Sequence, residues 1–152
     1  MLNLVLTTDK LQVVTSSAAT VDVHASFAEL SGTTVTPGKQ NTAISSAATT
    51  DIVASPASST VRNVKTLHIR NKDASLSCDV TVVFDQNGTD FELAKFTLAT
   101  GQMLEYIEGI GFFLIQQTAK LDQMRYVTAN SIHATAAPPN AITGLSFSVL
   151  SG

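Results

Sequence analysis

The side chains in this 152-residue sequence that could do chemistry are three histidines, one cysteine and two groups of acidic residues. His24, His68 and His133 lie far apart along the chain. His24 and His68 occupy the polar positions of two alternating stretches, so each faces outward from its own strand. If those strands are neighbours, the pair has the nitrogens for a metal or for proton transfer. A solvated polar face explains them more simply, and no metal or catalytic pair is expected. Asp85, Asn87 and Asp90 in DQNGTD space their oxygens like the start of a calcium loop, but no downstream glutamate falls at the bidentate position. A hairpin turn accounts for the same residues. Asn87-Gly88-Thr89 also matches an N-glycosylation acceptor, which matters only in a secreted eukaryotic protein. Glu105 and Glu108 fall on opposite faces if they share a strand, whereas acid–base catalysis needs two carboxylates converging on one cleft. Tyr106 and Phe112 could stack a sugar, though core or interface packing asks less of them.

The remaining motifs are negative. Gly109-Ile110-Gly111 lacks the third glycine and the helix start of a phosphate loop. No serine stands in a nucleophile elbow. The single cysteine, Cys78, heads an apolar alternation and reads as a small core residue; alone it makes neither an intramolecular disulfide nor a cysteine zinc site. No enzyme and no cofactor are expected.

The elements that must position these residues are strands. Val21, Val23, Ala25 and Phe27 alternate with Asp22, His24, Ser26 and Ala28, a period of two with one face buried. Val64 to Asn71 repeats the pattern through Leu67 and Ile69, and Cys78 to Phe84 repeats it again. Asn87-Gly88 between Phe84 and Phe91 predicts a tight hairpin. The apolar phase slips from Phe91 and Leu93 to Phe96 and Leu98, which predicts a bulge near Ala94 and Lys95 and a crossing between sheets. Shorter strands are expected at Leu2 to Leu6, Leu11 to Thr15, Thr50 to Ala54, Gln102 to Ile107, Phe112 to Ile115, Met124 to Thr128 and Leu145 to Leu150. Ser31 to Ser46, with Pro37-Gly38 at its middle, and the stretch from Thr118 with its Pro138-Pro139 read as long loops or arms. The fold class is all-β: an antiparallel β-sandwich, jelly-roll-like, with extended loops, in a single domain 1–152 whose segment 118–152 contacts partners.

Charged residues make up 14% of the chain, well below the usual share of about 25%. Ser, Thr and Ala fill the gap, as on a surface that rests against other chains or, equally, on a β protein with many Thr-rich exposed strands. The net charge of −3 and the sparse basic group Arg62, Lys65, Arg70 and Lys72 lack the footprint of nucleic-acid binding and read as a solvated or interface edge. The start, MLNLVLTTDK, has no basic n-region, so it does not read as a secretory signal. No run approaches the ~18 apolar residues that span a bilayer. Synthesis in the cytoplasm, unless the chain is packaged into a particle, and no membrane partner are expected.

Residues Thr60 to Phe113 carry a resemblance. Arg62-Asn63-Val64, Ile69-Arg70-Asn71, Val80 to Phe84, Asn87-Gly88, Leu98, Gly101 and Leu104 through Gly111 are similar to the shared pattern of small structural proteins from tailed phages. The earlier KLQVVTSSAATVDVHASFAEL stretch resembles the same group, and the chain after Leu121 departs from it. The resemblance implies a jelly-roll-like module on the virion. The expected role is capsid decoration, or cement, in which a symmetric homo-oligomer, a trimer, bridges the major capsid protein and other virion proteins. The alternative is a tail or head-fibre module that binds a host receptor. The contacts expected at such an interface are Leu2, Leu4, Leu6, Val35, Pro37, Tyr126, Pro138 and Pro139.

Overall fold

The computed structural model describes residues 1–115. Tyr126, His133, Pro138, Pro139, the expected strands at Met124 to Thr128 and Leu145 to Leu150, and the partner-contacting role given to 118–152 lie outside the described residues.

Among the described residues, ten strands form two antiparallel sheets: β1 Leu2–Leu4, β2 Asp9–Thr15, β3 Val21–Ser31, β4 Thr34–Ile44, β5 Thr49–Val53, β6 Thr60–Asn71, β7 Cys78–Gln86, β8 Thr89–Leu98, β9 Met103–Ile107 and β10 Gly111–Ile115. One sheet has the order β10-β9-β6-β3-β4, with β1 on β6; the other is β5-β2-β7-β8. The inward residues of the two alternating patterns meet between the sheets. Val21, Val23, Ala25, Val64, Leu67, Ile69 and Leu104 come from one side, and Leu11, Val13, Ile52, Val80, Val82 and Leu98 from the other; all are buried. Burial of each large aliphatic side chain stabilises by about 1.5–3 kcal/mol. The β-sandwich expected from the sequence is therefore the fold.

The chain winds between the sheets in a repeated way. β2 runs into β3, β4 into β5, β6 into β7 and β8 into β9, and each of these passages crosses from one sheet to the other. The four corners stack at one end and bond to one another: Ser16 N–H to Asp79 O (3.0 Å), Thr15 N–H to Ala48 O (3.0 Å), Lys72 N–H to Thr20 O (2.9 Å) and Asn71 N–H to Gln102 O (3.0 Å). Asn71 is fully buried there, and its Nδ2 donates to the Leu76 and Leu98 carbonyls. Asp73 accepts from the backbone N–H groups of Thr20, Ser75 and Leu76 at 3.2, 3.0 and 2.9 Å. Those three donors hold its carboxyl down at about 2, because they stabilise the ionised form.

Three expectations are corrected. Ser31 to Ser46 is no loop: β4 pairs with β3 in unbroken register from Ser31↔Thr34 to Val21↔Ile44. As an edge strand it keeps few apolar side chains, and it tolerates Pro37 because an edge need not donate every N–H. Gly38 is required by its neighbour, since a Cβ there would lie 2.2 Å from the Phe27 ring. The bulge on β8 falls at Leu93, where the partners of Val82 and Val83 are Ala94 and Glu92, and β8 stays in one sheet. Arg62 is no solvated edge residue: its guanidinium pairs with Glu29 and lies 4.3 Å from the centre of the Phe27 ring. The hairpin at Asn87-Gly88 is as expected. Both residues have positive φ (54° and 83°), and Asp85 Oδ1 accepts the Gly88 N–H at 2.7 Å.

Candidate functional site

The outer face of the larger sheet carries one polar row that crosses four strands. Register places Asn41 of β4 beside His24 of β3, His24 beside His68 of β6, and His68 beside Glu105 of β9. The two imidazoles stack with ring centres 6.1 Å apart and planes 29° apart. His24 Nδ1 lies 2.5 Å from Asn41 Oδ1, and His68 Nδ1 lies 3.1 Å from Glu105 Oε1. An amide oxygen and a carboxylate can only accept, so each Nδ1 carries the proton and donates. In the neutral rings Nε2 then holds the lone pair. Glu105 is more sheltered than its partner, with 14% of its side chain exposed against 35% for His68.

Asp22, Arg70 and Met103 continue the face one step further along the strands, and with the histidine row they line an open groove of about 520 Å³. Asp22 is tied to Lys72 at 2.8 Å, and Arg70 is exposed. On the other side Ser26 and Thr66 hydroxyls bond at 2.6 Å. The groove thus sets two imidazole rings, one amide and a guanidinium around a largely apolar floor that includes Val23, Ala43 and Met103. Among the described residues, no three His, Cys, Asp or Glu side chains are grouped to hold a metal.

The other sequence candidates separate. Glu108 lies beyond β9 and bonds Lys65 at 2.6 Å, which lowers its carboxyl, so it does not pair with Glu105. Tyr106 and Phe112 pack against the core with ring centres 4.9 Å apart and planes tilted by 43°, and burial pushes the Tyr106 phenol up. They are packing residues rather than a sugar platform. Cys78 is a buried free thiol. Asn41 escaped the sequence reading because its strand resembled a loop; the weak alternation of Lys39, Asn41 and Ala43 against Gly38, Gln40 and Thr42 was the available signal.

The expected interface residues also divide. Leu4 is fully buried in the domain's own core, because β1 pairs Leu4 with Arg62 and turns its side chain inward. Leu2 is half-buried against the same core. Leu6, Val35 and Pro37 are exposed. Val35 pairs with Leu30, and Leu30 with Val61, so three apolar side chains form a row at the end of the sheet opposite the corners. With Met1 and Ala28 they border a depression of about 290 Å³.

No family model matches the chain, and no match to it is found among curated proteins or solved structures.

Proposed function

We propose that the chain is a structural protein of a tailed-phage virion, a capsid decoration protein that bridges major capsid subunits as a symmetric oligomer. The observation that carries this reading is the apolar row at the end of the larger sheet opposite the four stacked corners. Met1, Leu30 and Val35 are 84%, 44% and 64% exposed, and they gather around Val61 instead of lying scattered. Isolated exposed leucines are ordinary on a monomer, whereas a contiguous group favours burial by another chain. The scarcity of charge supports the same reading, since charged residues are depleted at the centres of interfaces. A decoration protein that bound this way would add its binding free energy to the closed shell.

The second reading, a tail or head-fibre module that binds a host receptor, is favoured by the open groove around His24 and His68, which mixes polar side chains with apolar surface. Immunogold labelling of intact particles separates the two. Label over the head faces supports decoration; label confined to the tail tip overturns it. Particles made without this protein should release DNA at a lower temperature than complete ones, and equal heat resistance counts against the cement role.

A further inference from the structure

We infer that His24 and His68 form a binding site for one divalent transition-metal ion of the zinc, copper or nickel class. The cross-strand register sets the two imidazoles side by side on a rigid sheet. Each ring is also prepared in the way a ligand histidine is prepared. A metal-binding imidazole usually gives its second N–H to a carboxylate or carbonyl, which fixes the tautomer and raises the basicity of the ligating nitrogen. Here Asn41 Oδ1 takes that hydrogen bond from His24, and Glu105 Oε1 takes it from His68. The two anchors stand on opposite sides of the pair, on β4 and β9, so both rings are held through Nδ1 while both Nε2 lone pairs stay uncommitted. Two outer oxygens serving two adjacent histidines is more than a solvated face requires.

The rings are 6.1 Å apart at their centres, and bringing both Nε2 atoms onto one ion at about 2.0–2.1 Å requires them to tilt toward each other. The terminal torsion of histidine is broad and the rings border an open groove, so the tilt is a ring rotation limited by keeping each Nδ1 within reach of its acceptor. With two protein nitrogens, water or a further ligand completes the coordination. Imidazole pairs select zinc, copper and nickel over magnesium and calcium, which take oxygen ligands.

The test uses the full chain without an affinity tag. Zinc chloride is titrated by calorimetry, with magnesium chloride in parallel. Saturable binding of one zinc per chain, lost in both His24→Gln and His68→Gln, is the expected result, with no magnesium binding. Glu105→Gln should weaken zinc binding about tenfold, the usual cost of removing an outer-shell acceptor. Zinc should also raise the melting temperature of the unaltered chain and leave that of the two histidine variants unchanged, which shows in the same melts that the variants are folded. His133→Gln should bind as the unaltered chain does. Zinc binding that survives His24→Gln, that follows His133, or that magnesium matches would overturn the site.

Discussion

Buried polar groups at single positions divide into satisfied and unsatisfied ones, and the two behave oppositely on substitution. Asn71 sits fully buried with its amide bonded to the Leu76 and Leu98 carbonyls and its Oδ1 accepting from Asp73 N–H. Asn71→Ala strands those corner groups, so it should cost about 2–4 kcal/mol in urea unfolding. Tyr106 is the reverse case. Its hydroxyl is buried without a hydrogen-bond partner among the described residues, so Tyr106→Phe should leave stability unchanged or raise it by about 1 kcal/mol. Asp73 brings a pH dependence. Its carboxyl is depressed to about 2 by backbone donors, below the unfolded value near 3.8. Its stabilising effect is therefore present above pH 4 or so and is lost as pH falls toward 2. The stability gap between the unaltered chain and Asp73→Asn should shrink over that window, and acid-titrated melts followed by circular dichroism would check it. The bond from Asn71 to Leu98 and the contact of Asp73 with Thr20 could not be read in advance, because they join segments far apart in sequence at a corner, whereas the Ser75 and Leu76 donors to Asp73 are local. His24 and His68 show the same division. Their outward facing followed from alternation alone, whereas their adjacency is a fact of register between β3 and β6.

Single elements were legible where local chemistry demands a conformation. Asn87-Gly88 gave its hairpin because two consecutive residues with positive φ leave few alternatives to Asn and Gly. The buried strands β2, β3, β6 and β7 announced themselves through alternation, since one inward face must be apolar. β4 did not, because an edge strand can be half polar on both faces and still pair along its whole length. The β8 bulge was inferred one residue from its place, and the supposed crossing between sheets was wrong. A phase slip signals an extra residue but not the partner strand that absorbs it. Gly38 gives β4 a testable dependence. Gly38→Ala drives a methyl into the Phe27 ring, so it should cost about 1–3 kcal/mol, and Phe27→Leu in the same chain should recover part of the loss.

Across the whole molecule, the apolar row and the stacked corners occupy opposite ends of the larger sheet. That separation lets assembly be probed without disturbing the fold. Val35→Lys changes a side chain that is 64% exposed on an edge strand, so the isolated protein should melt within about 1 kcal/mol of the original. The same change should sharply lower incorporation into particles, read by quantifying the protein in purified virions. Equal incorporation would remove the row from the proposed contact. The fold class was readable at this scale because many short alternating stretches with turns between them have few architectures available. The winding was not, since β2 meets β7 and β3 meets β6 across long loops of sequence that leave no local trace.

The corner stack also constrains how the domain comes apart. Every passage through it belongs to both layers, so neither layer can peel away while the other keeps its ladder. Amides in the centre of β3 and those in the centre of β7 should therefore exchange with deuterium at one shared opening free energy. Because the first such passage must wait for partners some sixty residues downstream, folding should proceed on the slow side for a chain of this size.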